Sequence, residues 1–372
     1  MAVPKIRFPG FTDDWEQRKL GQIIEVKPFK PYIAEANNTG KYPVIQQGDK
    51  PLLGYSDKNE PFRDYKSVTL FGDHTLSLFK PLEPFFVATD GIKILSSAMY
   101  GLFFYYLLDR YKPHSEGYKR HFSILKEQDC WITSQNEQEK IGNFFFGIDQ
   151  AITLHQRKLE SIKLLKKSLL QKMFPKSGET VPEVRFPGFT DAWEQRKLAS
   201  LAEFNPKCIL PETFEYVDLE SVVGTEIRSH RTEAKSSAPS RAQRLAQKGD
   251  VFYQTVRPYQ KNNCIFERPD KDWVFSTGYA QLRPVNNGYF LLTLLQNDSF
   301  VKTVLDRCTG TSYPAINSNT LAEIEVKYPS DAQEQLKIGT FFHTIDDTIT
   351  LHQRKVEALQ KLKKSLLQQM FV

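Results

Sequence analysis

Residues 257–262 bring together side chains that could recognise a base or a phosphate. Within this run, Arg257, Tyr259, Lys261 and Asn262 combine two cations, an aromatic ring and an amide. An arginine can donate two hydrogen bonds to a guanine edge, an amide suits adenine, and cations suit phosphates. The run is therefore a candidate nucleic-acid contact.

Three further loops have the same polar character. They hold Gln46 and Gln47 before Gly48, then Lys119, Arg120 and His121 after Gly117-Tyr118, and finally Thr311, Ser312, Tyr313 and Asn317. For any one of these residues, a solvated surface loop explains the sequence equally well. As a set they offer the exposed surface that base recognition needs.

The chain carries no complete catalytic motif. GxGxxG, GxxxxGK[ST], GxSxG and HExxH are all missing. Asn205-Pro206-Lys207 approaches the Asn-Pro-Pro-aromatic signature of amino-methyltransferases without its second proline or its aromatic residue. Glu325-Val326-Lys327 resembles half of a nuclease motif, but alternating charges on an edge strand look the same. We therefore expect no catalytic residue and no enzyme activity in this chain.

Two long repeats must position the candidate loops. Residues 137–174 return as residues 334–371, with about two thirds of the positions identical. Mostly apolar residues follow a heptad in both copies. In the first copy, one row consists of Ile141, Ile148, His155, Ile162 and Leu169, and the other row consists of Phe145, Ile152, Leu159, Lys166 and Met173. Five heptads predict two long helices that form a coiled coil with each other.

Polar residues interrupt this predicted seam at matching places. His155 and His352 could be metal ligands, but a polar residue in a heptad row more often fixes register. We expect no metal site. Lys166 and Lys363 are expected to lay their stems along the seam while the ammonium groups reach water. Ser134 with Glu137, and Asp331 with Glu334, predict capping boxes at the two helix starts.

A second repeat precedes each unique segment. Residues 3–20, here called the first box, return as residues 181–198, the second box, with three changes in eighteen positions. The boxes are expected to dock on the helices. By contrast, the segments that follow, the first cassette (21–133) and the second cassette (199–330), show no convincing alignment, and the second is about 19 residues longer.

The sequence patterns of the cassettes predict mixed sheets with short helices. Strands are predicted at 42–45, 67–71, 85–88 and 92–95, and in the second cassette at 216–219, 251–256 and 274–276. Helices are predicted at 101–108 and as a single element at 291–305.

The N-terminus is too polar for a signal peptide, and the most apolar run, 100–108, is too short to span a bilayer. Four scattered cysteines indicate a reduced, cytoplasmic protein, and a net charge of +6 favours an anionic partner.

The order box, cassette, helix, repeated once, resembles the specificity (S) subunit of type I restriction-modification enzymes. The resemblance rests on RFPGFTDDWEQRKL, RFPGFTDAWEQRKL and both KIG…ITLHQRK…LKKSLLQ helices, with YPVIQQG, HSEGYKRHFSILK, GDVFYQTVRPYQKNN and CTGTSYPAIN in the cassettes. It implies an α/β (α+β) fold with two mixed-sheet target-recognition domains, two long antiparallel helices and an internal pseudo-twofold repeat. The expected division is 1–133 for the first box and recognition domain, 134–175 for the central helix, 176–330 for the second box and domain, and 331–372 for the C-terminal helix.

The resemblance also implies partners and cofactors. Double-stranded DNA and two methylation subunits are expected to bind, with restriction (motor-nuclease) subunits as optional further partners and no membrane. This chain would hold no cofactor, since AdoMet, ATP and Mg belong to partner subunits. Its function would be to read a bipartite, asymmetric site and direct adenine methylation and cleavage. The alternative is a coiled-coil scaffold that binds proteins, in which the basic charge has no role.

Overall fold

The computed structural model describes residues 3–89, 91–115, 117, 119–268 and 272–372. The chain divides into two compact units, Met1–His155 with Lys355–Val372, and Gln156–Arg354. Each unit contains one box, one cassette and a part of each long helix. Tyr118, which precedes the predicted basic turn, lies outside the described residues.

The first unit is built from short strands and three short helices, followed by one long helix. Its elements are β1 (Glu16–Lys19), α1 (Leu20–Ile23), β2 (Glu25–Lys27), β3 (Tyr42–Ile45), β4 (Leu52–Ser56), β5 (Val68–Gly72), β6 (Leu78–Phe79), β7 (Phe86–Val87), β8 (Ile92–Ser96), α2 (Gly101–Tyr111), α3 (Phe122–Glu127), β9 (Asp129–Ile132) and the start of α4 (Gln135–Lys172).

The second unit repeats this order with additions. Its elements are β10 (Glu194–Lys197), β11 (Ala202–Phe204), β12 (Thr213–Val217), β13 (Val222–Val223), β14 (Glu226–Ile227), β15 (Arg231–Ala234), β16 (Ala242–Leu245), β17 (Val251–Gln254), β18 (Cys264–Ile265), β19 (Trp273–Ser276), β20 (Tyr279–Pro284), α5 (Gly288–Gln296), α6 (Asp298–Leu305), α7 (Ser318–Ala322), β21 (Glu325–Tyr328) and the start of α8 (Ala332–Met370).

The two cassettes share a topology that their sequences do not reveal. The first has an antiparallel sheet in the order β2-β8-β5-β6, and the second has β11-β20-β17-β18 in the same pattern. Each adds a mixed sheet, in which β3 runs parallel to β7 and β12 runs parallel to β19. The central strands β5 and β17 are buried along their whole length, which suits their continuous apolar or uncharged sequences. The predicted mixed-sheet fold class is confirmed.

Most predicted elements form, and one is divided. Helix α2 covers and extends the predicted helix at 101–108. The prediction of a single helix at 291–305 is wrong, because Asn297 separates two helices, α5 and α6. The Asn297 side chain accepts a hydrogen bond from the Ser299 backbone N–H and donates one to the Leu170 carbonyl of α4. Helix α6, β16 and the β13–β14 hairpin are among the features of the longer second cassette.

The predicted heptad seam is the least exposed side of both long helices. Every position of the two rows is buried or half-buried in both copies of the repeat. Within the first unit, Lys363 Nζ lies 2.8 Å from a carboxylate oxygen of Asp149, and within the second, Lys166 Nζ lies 2.5 Å from Asp346 Oδ1. Both lysines are mostly buried. The expectation that their ammonium groups reach water is therefore wrong, because each is held by an aspartate of the other helix.

Each box fastens the start of one long helix to the end of the other. In the first unit, the Ile6 backbone N–H donates to the Gln369 carbonyl of α8, and Arg7 forms a bidentate ion pair with Glu137 of α4. In the second unit, Val184 donates to the Lys172 carbonyl, and Arg185 pairs with Glu334. These equivalent contacts show that the helix segments run antiparallel within each unit.

The same contacts correct the predicted capping boxes. Glu137 accepts from Arg7 and from the Thr133 hydroxyl, while Glu334 accepts from Arg185 and from the Trp193 indole. Both carboxylates are thus used by box residues or by residues before the helix. Asp331 does cap α8, because its carboxylate accepts from the Gln333 backbone N–H.

A glycine in each long helix allows its cassette helix to approach closely. A Cβ on Gly142 would lie 2.8 Å from the Phe103 backbone nitrogen, and a Cβ on Gly339 would lie 2.5 Å from that of Phe290. These two glycines occupy the same position in the repeat. The first turns of α2 and α5 therefore dock on the long helices by the same contact.

Within the described residues, no helix combines the length and apolarity that crossing a membrane requires. The same part of the chain contains no group of three His, Cys, Asp or Glu side chains arranged to hold a metal ion.

Candidate nucleic-acid interface

In the second cassette, the turn after β17 is joined to the loop after α6. The Arg257 backbone N–H donates to the Pro314 carbonyl at 2.7 Å, and the Ile316 N–H donates to the Thr255 carbonyl at 3.0 Å. The second loop closes on itself through two hydrogen bonds between Thr309 and Ala315. Two predicted candidate loops, about fifty residues apart in sequence, therefore form one surface.

The exposed face of this surface carries an arginine stacked on a tyrosine. The Arg257 guanidinium lies 4.3 Å from the centre of the Tyr313 ring. Tyr313 is 63% exposed and Tyr259 is 50% exposed, and the neighbouring Thr311 and Ser312 are exposed as well. We call these five residues the second reading surface.

Three other candidates of this cassette are engaged in holding the fold. The Lys261 ammonium bonds to Asp298 and to the Gln296 carbonyl at 2.9 Å. Asn262 accepts from the Gly224 backbone N–H, and Asn317 caps α7 by accepting from the Thr320 N–H at 2.8 Å. These contacts give the three side chains structural roles, and sequence reasoning did not foresee them.

In the first cassette, the amides predicted to face adenine partly serve their own turn. Gln46 Nε2 donates to the Lys50 carbonyl at 2.9 Å, and Gln47 Oε1 accepts from the His74 backbone N–H at 3.3 Å. Gly48 has a positive φ of 105° and donates to the Ser77 hydroxyl. The turn therefore rests against residues 73–77, and both glutamines are half-buried.

The predicted basic turn divides into exposed and buried residues. Lys119 and Arg120 are exposed. His121 is fully buried, where its backbone N–H donates to the Asp73 carbonyl at 2.8 Å and its ring nitrogen lies 3.2 Å from the same oxygen. The expectation that His121 shares the exposure of its neighbours is wrong, because both contacts hold it against the turn after β5, at the start of α3.

Residues 73–77 are a part of this surface that sequence reasoning missed. The Asp73 N–H donates to the Gly91 carbonyl, and the Thr255 N–H donates to the Gly278 carbonyl, both at 2.9 Å. The turns after β5 and β17 are therefore equivalent. The signal that could have found them is a mostly polar run, GDHT or QTVR, that begins at the last residue of a buried strand. We call Gln46, Gln47, His74, Thr75, Ser77, Lys119 and Arg120 the first reading surface.

Groups with shifted pKa values outside these surfaces have structural explanations. Burial lowers the pKa of Lys80 to about 8, and its ammonium donates to the carbonyls of Lys66 and Val68. Burial raises the pKa of the Cys130 and Cys264 thiols to about 12, so both are protonated at neutral pH. Glu325 and Lys327, which resemble half of a nuclease motif, lie on β21, and this strand pairs with β10 of the second box.

Comparison with known proteins identifies the family. A family model described as the type I restriction modification DNA specificity domain matches residues 12–164 and 191–361. The two matches cover most of the chain, so the chain belongs to this family. Specificity subunits of type I restriction-modification systems are non-catalytic, which supports the prediction that this chain is not an enzyme.

Individual relatives agree with this assignment. The crystal structure of a type I restriction-modification S subunit from M. genitalium has a similar fold, with a TM-score of 0.71 over 100% of this chain and 99% of that chain, at 17% identity. A type I restriction enzyme specificity subunit (MjaIX) from Methanocaldococcus jannaschii is 30% identical over 83 residues. That match spans 22% of this chain and 19% of the relative.

Proposed function

We propose that this chain is the DNA-recognition subunit of a type I restriction-modification complex and reads a bipartite site with two unlike halves. The observation that carries the proposal is the repetition of framework contacts around cassettes of one topology but different reading surfaces. Arg7–Glu137 and Arg185–Glu334 are the same contact in the two units. In contrast, the turns at 73–77 and 255–262 share position but not side chains.

Different side chains in equivalent turns would give each half-site its own sequence. A dimer of identical readers faces a palindrome, because protein and DNA share a two-fold axis. Here the framework supplies the repeat while the readers differ. The recognised site would therefore consist of two unlike halves with unread base pairs between them. In this proposal, the recognition domains end near residues 133 and 330, where the long helices begin.

Methylation and cleavage would be performed by partner subunits. The proposal assigns AdoMet, ATP and Mg to those subunits, and this chain would position them on DNA. Apolar side chains exposed at equivalent places in the long helices offer docking points: Leu154 is 51% exposed and Leu351 is 52% exposed. Because the two positions are equivalent in the repeat, a subunit that binds one should also bind the other. Two methylation subunits per chain are expected.

Selection from a random duplex pool tests the proposal. The full-length chain, alone and with its co-purified methylation subunits, should enrich duplexes with two fixed half-sites separated by a constant spacer. The chain alone should transfer no methyl group. Enrichment of no sequence, together with retained protein binding, would favour the coiled-coil scaffold instead. Methyl transfer by the purified chain would contradict the non-catalytic assignment.

The partner arrangement has its own test. Leu154→Arg and Leu351→Arg introduce a charge at equivalent exposed positions and should each remove one methylation subunit, which native mass spectrometry can count. Leu82→Arg, at a cassette position that is 63% exposed, is the matched control and should leave both subunits bound. A complex that contains a single methylation subunit before any mutation would contradict the two-site arrangement.

A further inference from the structure

Arg257 is distinguished from Lys261, the other cation of its turn, by what its charge contacts. Lys261 is neutralised by Asp298 and lies against the Gln296 carbonyl. In the described part of the chain, by contrast, the Arg257 guanidinium has no carboxylate partner and lies against the Tyr313 ring. Its donors are therefore available to a ligand.

The backbone at Arg257 is held in an uncommon conformation. Its φ of 53° and ψ of 55° are left-handed, a region that non-glycine residues rarely occupy. The hydrogen bond to Pro314 and the bridge between Val256 and Ala315 hold this conformation. Uncommon backbone angles of this kind are maintained where surrounding structure fixes them, often at ligand contacts. Here they direct a side chain onto the neighbouring loop.

The tyrosine restricts the orientation of the guanidinium. A planar guanidinium that stacks on a ring keeps its N–H edge free for two parallel hydrogen bonds. Guanine presents two acceptors, N7 and O6, in the major groove, whereas adenine presents one acceptor and one donor at the same places. Arginine has donors only. A stacked arginine therefore matches guanine and opposes adenine.

We propose that Arg257, supported by Tyr313, is a specificity-determining residue that reads a guanine in the half-site of the second cassette. The inference rests on the proposed function, since it requires that this surface binds DNA. Tyr313 acts as a positioning residue, and the exposed hydroxyls of Thr311 and Ser312 suit the adjacent phosphates.

Base preference of four full-length proteins tests the inference, each assembled with its methylation subunits. The wild type should require guanine at one position of one half-site. Arg257→Gln should lower affinity for that site by about 10- to 100-fold and relax the preference, or move it toward adenine, at that position alone. Arg257→Lys keeps the charge but not the planar fork, so it should also relax the preference. Arg241→Gln, at an exposed arginine of the same cassette outside the second reading surface, is the matched control and should leave the guanine position unchanged.

Tyr313→Ala separates positioning from reading. It should lower affinity less than Arg257→Gln does and weaken the guanine preference without replacing it. Circular dichroism and thermal unfolding would show that each variant is folded before selection.

Two results would overturn the inference while leaving the proposed function intact. Arg257→Gln could weaken binding to all sequences equally and reduce the dependence of log affinity on log salt by about one, which is the behaviour of a phosphate contact. Alternatively, the selected sequence could stay unchanged. A wild-type complex that selects no sequence would instead contradict the proposed function itself.

Discussion

The two units of this chain share their framework contacts but differ in their reading surfaces. Box, helix start and helix end meet through the same contacts twice, down to the ion pairs Arg7–Glu137 and Arg185–Glu334. The turns that follow β5 and β17 occupy equivalent positions, yet one carries His74 and Thr75 and the other carries an arginine stacked on a tyrosine ring. A repeated framework thus carries two different loops.

The buried ion pair of the second box gives the largest expected effect. Arg185→Met leaves the Glu334 carboxylate, which is 1% exposed, without its partner. Breaking a buried pair in this way costs about 3–5 kcal/mol in the free energy of unfolding. Urea unfolding followed by circular dichroism measures the loss.

Two further variants test whether the two units are equivalent here. Arg7→Met should cost a similar amount, since Glu137 is fully buried. Arg185→Met combined with Glu334→Met should recover a large part of the loss, because no buried charge remains. A small effect of Arg185→Met, of the size typical of a surface pair, would show that the box is not fastened by this contact.

Substitution of the repeated glycine at position 339 gives the next largest expected effect on the free energy of unfolding. Gly339→Ala places a methyl group 2.5 Å from the Phe290 backbone nitrogen, so α5 must move. Overpacking of this kind costs about 1–3 kcal/mol. The matched control is Gly147→Ala in α4, where no atom lies within 4 Å of the added Cβ. The control should gain up to about 1 kcal/mol from helix propensity, so thermal unfolding should move the two variants in opposite directions.

Variants of Asn317 test whether this residue has a structural role or contacts DNA, and their expected effect on stability is smaller. Asn317→Ala removes the cap of α7 and should cost about 1 kcal/mol. It should leave the selected DNA sequence unchanged, whereas Asn317→Asp should keep both the cap and the stability. A change in base preference without a loss of stability would instead show that Asn317 contacts DNA.

The Lys166–Asp346 ion pair gives the smallest expected difference, which is a pH dependence of the free energy of unfolding. Burial raises the pKa of Asp346 above its ordinary value, against the opposing effect of Lys166. An acid with a raised pKa in the folded state contributes stability that is present below the unfolded pKa and is lost as pH rises through the folded pKa. Asp346→Asn lacks this group, so its stability relative to the wild type should rise as pH increases from about 4 to 7. A flat difference across this range would contradict the shift.

The sequence was sufficient for the periodic parts of this fold. The heptad rows, the boxes and most cassette strands follow from apolar spacing and turn residues, because each is determined by contacts close in sequence or by exact repetition. The cassette topology was not accessible in this way. Equivalent strands such as β5 and β17 share burial but few residues, and sheet order depends on pairing between distant segments.

The sequence predicts the candidate site as a set of polar loops, but it does not indicate the contacts of each residue. Arg257 and Tyr313 are both predicted candidates, but their stacking depends on a hydrogen bond between backbones fifty-seven positions apart in sequence. Lys261, Asn262, Asn317 and His121 have residue types that suit DNA equally well. Their structural roles depend on Asp298, Gly224, Thr320 and Asp73, partners that loop composition does not indicate.

Exchange of one cassette tests the central claim most directly. Residues 199–330 would be replaced by the corresponding segment of another specificity subunit, and the methylation sites of a host carrying each version would be sequenced. Because the framework contacts are repeated and the readers are separate, one half-site should change while the other half-site stays the same. A change in both halves, or a single continuous palindrome as the wild-type site, would contradict the two-reader account.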